Sequence, residues 1–452
     1  MKHDKSGFWK AICAAPDDDT PRLVFADYLD EQQDATRAEF IRAQCESERL
    51  EPGDPRQIEL EIRAAALLQE HRAVWVEELP KWVRRDRVCF RRGFPNGIET
   101  NANQLLRNAS ALAHRTVIED VYVEHFGQTA ADELAASPLP PRLRQFRNNG
   151  GGLAVLRPLL AAMTGLAGLN LYYPCQYDGD TRTTHFAELL ALPSVRRLTR
   201  FTLYLGENDP SAVRRAMLAA LAAAPFENLR ELTVHPESLP SVSLAALVRA
   251  PWAGGLRALR LWHDLSPECL EVLAGAQSLA GLRALGLGIG HQGEEAFAAV
   301  LNSPHVGNVV ELSVNGAALA GVAEVLGSSP LAGRLRVLTW NPGRFRGVVT
   351  ADVKEELNTL TRSGAFPDLV RLSLGWWGDA DAAARLLAAS PHFPNLRDLE
   401  LPAGMTAARF GTLLASQHLS ALQAVRAPWG TADAVRDLNA RYGHRFAVLA
   451  VE

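Results

Sequence analysis

Residues 256–288, LRALRLWHDLSPECLEVLAGAQSLAGLRALGLG, contain the pattern that decides the fold. A Leu-x-x-Leu-x-Leu segment opens this stretch and returns 26 residues later, at residue 282. Alternating apolar residues predict a short strand in each segment, and the apolar spacing of the intervening ECLEVLAG is that of a helix. The stretch therefore predicts a strand, a turn and a helix, followed by the next strand.

The same unit recurs over residues 117–430, for example as LVRLSLG (369–375) and LRDLELP (396–402), at intervals of mostly 25 to 27 residues. One such unit cannot bury its apolar face alone, so neighbouring units must stack into a continuous core. The segments begin at Ile118, Leu143, Leu166, Leu198, Leu229, Leu256, Leu282, Val309, Leu335, Leu369, Leu396 and Leu422.

This pattern resembles the longer, helix-bearing class of leucine-rich repeats. The resemblance implies an α/β fold, a leucine-rich-repeat solenoid with a curved parallel sheet and helices on its convex side. The chain departs from that family at the ninth position, where the family places Asn in a buried ladder and this chain has, for instance, Asp264 and Ala317. We therefore expect other groups to satisfy the turns.

Residues 8–82 carry four helical segments and no strand pattern, and Thr20-Pro21 marks a helix start with Thr as N-cap. The stretch AICAAPDDDTPRLVFADYLDEQQDATRAEFIRAQCE, with HRAVWVEELP further on, is similar to the bacterial repeat-companion domain, although Tyr28 stands where that family more often has Trp. The resemblance implies a bacterial protein with a small all-α N-terminal domain over residues 1–82. It implies no activity, because the biochemical role of that family is undefined.

Two further segments complete the predicted organisation. Residues 83–116 form a linker or N-terminal cap, in which Phe94-Pro95-Asn96-Gly97 suggests the turn of a hairpin. Residues 431–452 form a C-terminal cap, a last helix and a final strand, because the open end of a repeat array needs cover.

Bulk properties favour a cytoplasmic protein without a membrane segment. The net charge is -4, so no global field attracts nucleic acid or anionic lipid. No signal peptide is apparent before the three aspartates at 17–19, and the apolar stretches are too short to span a bilayer. The five cysteines are odd in number and form no Cys-x-x-Cys pair: Cys13, Cys45, Cys89, Cys175 and Cys269.

No motif predicts an enzyme, a metal site or a cofactor. Residues 288–293 read Gly-x-Gly-x-x-Gly between a strand and a helix, as dinucleotide binding demands, but these glycines fall where every other repeat also turns. Motifs of zinc proteases, serine hydrolases and P-loop proteins are absent from the sequence, as is the Cys-x-Asp motif of repeat-bearing ubiquitin ligases. We expect a non-catalytic protein.

Two charged clusters have both a functional and a structural interpretation. Aspartates at 17–19, 27 and 30 surround a helix start, which favours capping and pairing with Arg22 and Arg37 over metal binding. An arginine-rich strand could hold phosphates, but charges on an edge strand also prevent unwanted pairing, and we favour that interpretation. Its basic residues are Lys81, Arg84, Arg85, Arg87, Arg91 and Arg92.

The strand pattern also predicts a binding surface. Side chains alternate along a strand, so the leucines point inward while the third, fifth and seventh positions of each segment face the concave side. Aromatic and arginine side chains anchor protein interfaces, because they bury a large area with few rotatable bonds. The predicted partner-binding residues are Tyr172, Arg200, Tyr204, His235, Arg260, Trp262, His263, Arg371, Trp376 and Trp377.

We therefore expect a scaffold that binds a protein partner, of unknown identity, on the concave face around Tyr204 and Trp262. The competing interpretation is that other parts of the chain cover these rings. Two other functions fit the same pattern: regulation of a small GTPase, by analogy of fold alone, and a structural or self-associating role. Stimulated GTP hydrolysis would identify the first, and concentration-dependent mass in solution the second.

Overall fold

The chain forms two compact units, which are described separately. In this computed structural model the first unit comprises Met1–Arg49, Glu70–Glu237 and Ala250–Gly255, and the second comprises Leu50–Gln69, Ser238–Arg249 and Leu256–Glu452. The structure describes residues 6–173, 181–206, 210–289, 293–316, 321–342, 353–363, 366–375, 380–401, 407–428, 432–443 and 447–451.

Four helices precede the described strands, as the apolar spacing predicted: α1 (Ser6–Ala14), α2 (Thr20–Glu31), α3 (Ala35–Ser47) and α4 (Pro55–Trp75). Helix α2 has Asp19 rather than Thr20 as its N-cap residue, and the carboxylate of Asp18 accepts the Thr20 N–H at 2.9 Å. The predicted cap was therefore one residue late. In the first unit, Phe25 and Ile41 pack with Phe94 in one buried cluster.

Each of the twelve predicted segments forms a strand, and each strand starts two residues after the predicted start of its segment. The first unit contains β1 (Cys89–Arg91), β2 (Phe94–Asn101), β3 (Asp120–Glu124), β4 (Gln145–Asn149), β5 (Gly168–Tyr172), β6 (Arg200–Tyr204) and β7 (Glu231–His235). The second unit contains β8 (Ala258–Leu265), β9 (Ala284–Ile289), β10 (Glu311–Gly316), β11 (Val337–Pro342), β12 (Arg371–Ser373), β13 (Asp398–Glu400), β14 (Ala424–Pro428) and β15 (Ala447–Val451).

Within each unit neighbouring strands pair in chain order, and every such pair is parallel except β1 with β2. Helices alternate with the strands, which gives an α/β repeat protein. These helices are α5 (Ala102–Arg115), α6 (Gln128–Ala135), α7 (Leu153–Ala162), α8 (Arg182–Leu190), α9 (Pro193–Arg196), α10 (Ser211–Ala222), α11 (Ser241–Val248), α12 (Pro267–Ala274), α13 (Glu294–Leu301), α14 (Val322–Ser328), α15 (Val353–Arg362), α16 (Ala380–Ala389), α17 (Ala407–Leu414) and α18 (Ala432–Tyr442).

The predicted hairpin is present, but its turn lies elsewhere. Arg92 and Gly93 make the reversal between β1 and β2, with φ angles of 49° and 85°, while Phe94 to Gly97 belong to β2. The left-handed conformation suits glycine, and a side chain at Gly93 would collide with Ile41. The turn at 94–97 was therefore wrong, because the contact that demands a small residue at 93 is remote in sequence.

Serine hydroxyls satisfy backbone carbonyls at the junctions between a helix and the repeat that follows it. Each hydroxyl donates to a carbonyl near the end of the preceding repeat's helix, which removes an orphan acceptor. The pairs are Ser194 with Leu160, Ser278 with Val248, Ser303 with Ala274, Ser390 with Thr361 and Ser416 with Ala388, at 2.5–2.6 Å.

Arginines at the second position of the Leu-Arg segments also link successive repeats. Arg144 donates to the carbonyl of Gly165 at 3.1 Å, and Arg230 donates to that of Gly255 at 2.9 Å. Arg257 repeats the contact with Gly281 at 2.9 Å in the second unit. The repeat pattern of this chain therefore places hydrogen-bond donors, as well as leucines, at regular intervals.

The outer edge of β15 is closed by two side-chain amides. Asn439 accepts the Val448 N–H and donates to the Val448 carbonyl, both at 2.8 Å. Gln69 also donates to that carbonyl, at 3.1 Å, and accepts the Ala450 N–H at 2.8 Å. Together these amides take the hydrogen bonds that another strand would make, which protects an edge that could otherwise pair with a second chain.

We expect Gln69→Ala to destabilise β15, because the Ala450 N–H then loses its acceptor. The expected loss is about 1 kcal/mol in the free energy of unfolding, with faster hydrogen exchange at Ala450. Gln277→Ala, at an exposed glutamine, is the matched control and should change neither. Unaltered exchange at Ala450 in Gln69→Ala would contradict this account of the edge.

Candidate functional site

Alternate residues of the first-unit strands are partly exposed, and they define what we call the open face. In β4 to β7 the predicted inward residues are buried, whereas the alternate positions are nearly all partly buried. The parallel register places Tyr172 beside Tyr204 and Tyr204 beside His235. We call these three residues the aromatic row.

The rings of the aromatic row are stacked. The centroids of Tyr172 and Tyr204 are 4.3 Å apart at 21°, and those of Tyr204 and His235 are 3.7 Å apart at 13°. Tyr122 meets the edge of Tyr172 at 6.1 Å. Tyr173 follows the row with a φ of 51° and is 39% exposed. The row is therefore a preorganised aromatic surface that is only partly buried.

Burial shifts the pKa of two members of the aromatic row, Tyr204 and His235, toward their uncharged forms. Desolvation, with a smaller contribution from Tyr172, raises the pKa of Tyr204 to about 12. Desolvation also lowers the pKa of His235 to about 4. At neutral pH Tyr204 and His235 therefore present ring faces, a hydroxyl and an uncharged imidazole, and neither carries an ionic charge.

A polar network adjoins the row on the same open face. Arg200 donates to Gln145 at 3.3 Å, and Gln145 donates to Asn170 at 2.9 Å. Gly168 lies between them in the sheet, and a side chain there would collide with Gln145. Arg147 holds Asp120 through two bonds of 3.1 Å. Arg200, a predicted site residue, is therefore fixed by this network.

The prediction missed Tyr122, Gln145 and Arg147, although the positional rule reaches them. They occupy third and fifth positions in the segments that begin at Ile118 and Leu143. Applying the rule to every segment would have included them in the surface.

Arg260, Trp262 and His263, three of the predicted residues in the second unit, lie at or beside a bulge of β8. Strand β8 pairs with β9 up to Leu261 and resumes at Asp264, so Trp262 and His263 form the bulge. A side chain at Gly286 would lie within 2.9 Å of Trp262 and of Arg260. Both side chains thus lie over Gly286, and Arg260 also pairs with Glu311 at 3.0 Å.

The bulge explains the first glycine of the Gly-x-Gly-x-x-Gly motif. A side chain at Gly288 would collide with the backbone of His263, so the bulge requires glycine at that position. Gly290 of the motif lies outside the described residues. Gly288 thus lies inside β9 and not in the predicted turn, and the His263 backbone gives it a structural reason that involves no phosphate.

Helix α4 accounts for the surroundings of Arg371 in the second unit. Ile58 and Ile62 of α4 pack against Val337, Ala424 and Leu449 in one buried cluster. In the second unit these three strand residues occupy positions equivalent to those of the open face in the first unit. The first part of α4 therefore covers that part of the second unit's sheet.

Arg371 was predicted to bind a partner, but its guanidinium has partners within the chain. It bonds Glu61 of α4 at 2.7 Å and Asp398 at 2.8 Å. Asp398 has no exposed surface and also accepts hydrogen bonds from Arg426 at 2.9–3.0 Å. Trp376 and Trp377, the other predicted residues in this region, lie outside the described residues.

The aspartates near α2 pair with arginines, but not with the predicted ones. Asp19 pairs with Arg49 at 2.8 Å and Asp17 with Arg144 at 2.8 Å, while Asp27 and Asp30 share Arg42. Arg22 donates instead to backbone carbonyls, and Arg37 pairs with no carboxylate among the described residues. The pairing with Arg22 and Arg37 was therefore wrong.

Acidic groups also accompany most of the basic cluster. Arg84 and Arg87 face Asp86 and Glu99, while Arg91 holds Glu48 through bonds of 2.8 and 3.0 Å. Arg92 contacts Asp19 at 3.5 Å. Arg85 and Lys81 are exposed. Much of the positive charge of this cluster is thus compensated locally.

Three observations concern other kinds of site. The described side chains include no group of three or more His, Cys, Asp or Glu placed to hold a metal ion. Within the described ranges, every helix falls short of the length or apolar character needed to cross a bilayer. Free cysteines among the described residues are Cys13, Cys45, Cys89 and Cys269, while Cys175 lies outside them.

No family model matches the chain, and no curated protein sequence matches it. Among solved structures it is similar to a chain of the Rad7 and Elc1 complex in yeast, with 14% identity over 89% of this chain and 94% of that one and a TM-score of 0.41. A protein from Bacteroides fragilis gives 12% identity over 75% and 76%, with a TM-score of 0.29. At these TM-scores neither similarity supports an argument about function.

We expect Gly288→Ala to destabilise the second unit, because the added methyl group meets the His263 backbone. Strain of this kind costs about 1–3 kcal/mol, measured as the free energy of unfolding. Gly254→Ala is the matched control, since nothing lies within 4 Å of a methyl group there, and it should change stability by less than about 0.5 kcal/mol. Equal stability of both variants would contradict the assigned bulge.

We expect Asp398→Asn to destabilise the protein by about 3 kcal/mol, because it leaves Arg371 and Arg426 facing a neutral amide in a buried site. Denaturant unfolding measures this loss. The control is Glu227→Gln in the exposed pair with Arg196, 2.7 Å long, which should cost less than about 1 kcal/mol. A loss at Asp398 no larger than at Glu227 would show that the buried network is dispensable.

Proposed function

We propose that this chain is a leucine-rich-repeat protein that works without catalysis, in the cytoplasm, as a scaffold for a protein partner. The partner binds the open face of the first unit along Tyr172, Tyr204 and His235. One observation carries the proposal: three rings from three successive strands form a continuous stack that is only partly buried.

The stack suits binding because its order is already established before a partner arrives. Aromatic rings bury much area on association and have few rotors to freeze, and each ring here is also held by its neighbour. Tyr204 is central, because it contacts both Tyr172 and His235. We therefore expect its loss to weaken binding more than the loss of any flanking side chain.

The charge state of the row indicates the kind of partner surface that it takes. Tyr204 and His235 carry no ionic charge at neutral pH, as their pKa values require. Ion pairs then contribute little to the centre of the interface, so association should depend weakly on salt. An aromatic or aliphatic segment with hydrogen-bonding groups complements such a surface.

We expect Tyr204→Ala to weaken partner binding by a factor of about ten or more, because it removes the central ring and leaves a gap between Tyr172 and His235. The measurement is affinity capture from native lysate followed by titration of the captured protein. Tyr204→Phe keeps the stack and should retain most of the affinity. Val242→Ala, at a valine that is 80% exposed in the second unit, controls for loss of apolar surface.

All variants must unfold at the same denaturant concentration as the wild type before binding is compared. Capture of the same partner with equal affinity by Tyr204→Ala would contradict the proposal. Mass that rises with concentration in the wild type, and not in Tyr204→Ala, would indicate self-association in place of a different partner. Stimulated hydrolysis by a GTPase would indicate the regulatory alternative.

A further inference from the structure

A second candidate site lies among the helices of the first unit. A cavity of about 370 Å³ opens there, between the ends of α2 and α3 and the residues from His71 onward. Rings of Trp9, Phe25 and Phe94 line it, together with one arginine, Arg37. Its volume is that of a site for a small organic molecule.

Arg37 is the unusual member of this lining. The residue is only 6% exposed, and its Nη1 atom is buried without a hydrogen-bond partner among the described residues. Its surroundings are aromatic: the Cζ atom lies 4.4 Å from the ring centroid of Trp75 and 5.5–5.9 Å from those of Phe40, Phe90 and Phe94. The aromatic rings favour the cation but supply no acceptor.

Arg22 shows how this unit otherwise treats a buried guanidinium. It is 3% exposed, and its Nη1 donates to the carbonyls of Pro16 and Asp18, both at 3.0 Å, while its Nε atom has no partner among the described residues. Arg37 has no such acceptor, although both arginines are part of the same group of helices. The Nη1 atom of Arg37 is thus a buried donor without an acceptor among the described residues, although the carboxylates of Glu78 and Asp34 line the same cavity.

The charge of Arg37 persists in this setting. Burial lowers its pKa to about 10, against a smaller opposing effect of the Glu78 and Asp34 carboxylates, so the group is still protonated at neutral pH. A buried cation without a hydrogen-bonded counter-ion is unfavourable, and an anion that reaches it gains strongly from the low local dielectric.

We propose that this cavity binds a small monocarboxylate with an aromatic or aliphatic body, whose carboxylate accepts hydrogen bonds from Arg37 and whose body packs on the surrounding rings. The rim restricts the charge of the ligand. Asp34 and Glu78 line the same cavity and are exposed, so they repel a polyanion such as phosphate more strongly than a single carboxylate. The volume favours a free small molecule over a peptide.

The test uses 3-phenylpropionate as the probe, with calorimetry and thermal unfolding of the full chain as the readouts. We expect binding to the wild type, a raised Tm, and at least ten-fold weaker binding by Arg37→Leu. Phenethylamine, which has the same ring and the opposite charge, should bind at least ten-fold more weakly than the acid. Inorganic phosphate at equal ionic strength should not compete.

A structural role for Arg37 makes the opposite predictions. If the guanidinium served only to hold the helices, Arg37→Leu would lower the Tm of the unliganded protein and the probe would not bind. Under the proposal, the unliganded variant unfolds at or above the wild-type Tm, because an unsatisfied charge has been removed.

Val74→Trp keeps the test decisive if Arg37→Leu does not fold. Val74 lines the cavity and is 64% exposed, so the larger ring obstructs the mouth without entering the core, and binding should be lost. Arg107→Leu, at an exposed arginine of α5, is the matched control and should bind normally. Absence of 3-phenylpropionate binding to the wild type, or unchanged binding in Val74→Trp, would overturn the proposal. Tighter binding of a Phe-terminated peptide would overturn the assignment to a small molecule.

Discussion

Every junction between repeats in this protein must pair the backbone groups that the next repeat covers. A carbonyl at the end of a helix loses its water when the following repeat packs against it, and a buried, unpaired carbonyl is costly. Serine hydroxyls such as that of Ser303 donate to carbonyls of the preceding repeat, and Arg257 donates to a carbonyl of the following one. Carbonyls just before the strands contribute as well: that of Thr199 accepts the N–H groups of both Arg230 and Glu231. These hydrogen bonds fix the strand register from one repeat to the next.

Because the strand register is fixed, equivalent residues of successive repeats form rows across the sheet. These rows are exposed to different degrees in the two units. In the first unit, Tyr172, Tyr204 and His235 occupy equivalent positions of successive strands and stack. In the second unit, the equivalent positions, such as those of Val337 and Leu449, pack under α4. The same geometry thus yields a partly exposed aromatic surface in one unit and an internal interface in the other.

The local sequence predicted what depends on local periodicity. The presence of a strand in each segment and the alternation of inward leucines follow from spacing, and the structure confirms both, with each strand starting two residues into its segment. Features that depend on contacts between residues far apart in the chain could not be predicted from the local sequence. Glu61, which bonds Arg371, lies 310 residues away in the chain, and the ring of Trp75 over Arg37 comes from another helix. The aspartates around the start of α2 suggested an ion pair for Arg37, whereas the structure surrounds its guanidinium with aromatic rings and places Asp34 and Glu78 in the same cavity.

Repeat arrays commonly grow by duplication and exchange of single units, and the bulge of β8 restricts that route here. The backbone of His263 occupies the space that Gly288 leaves free, and Trp262 lies over Gly286. A copy of the β8 segment placed beside an ordinary strand would meet side chains, while a copy of β9 beside an ordinary strand would leave a gap. The repeats that contain β8 and β9 therefore fit each other specifically, and an exchange that keeps the fold must move residues 256–289 together.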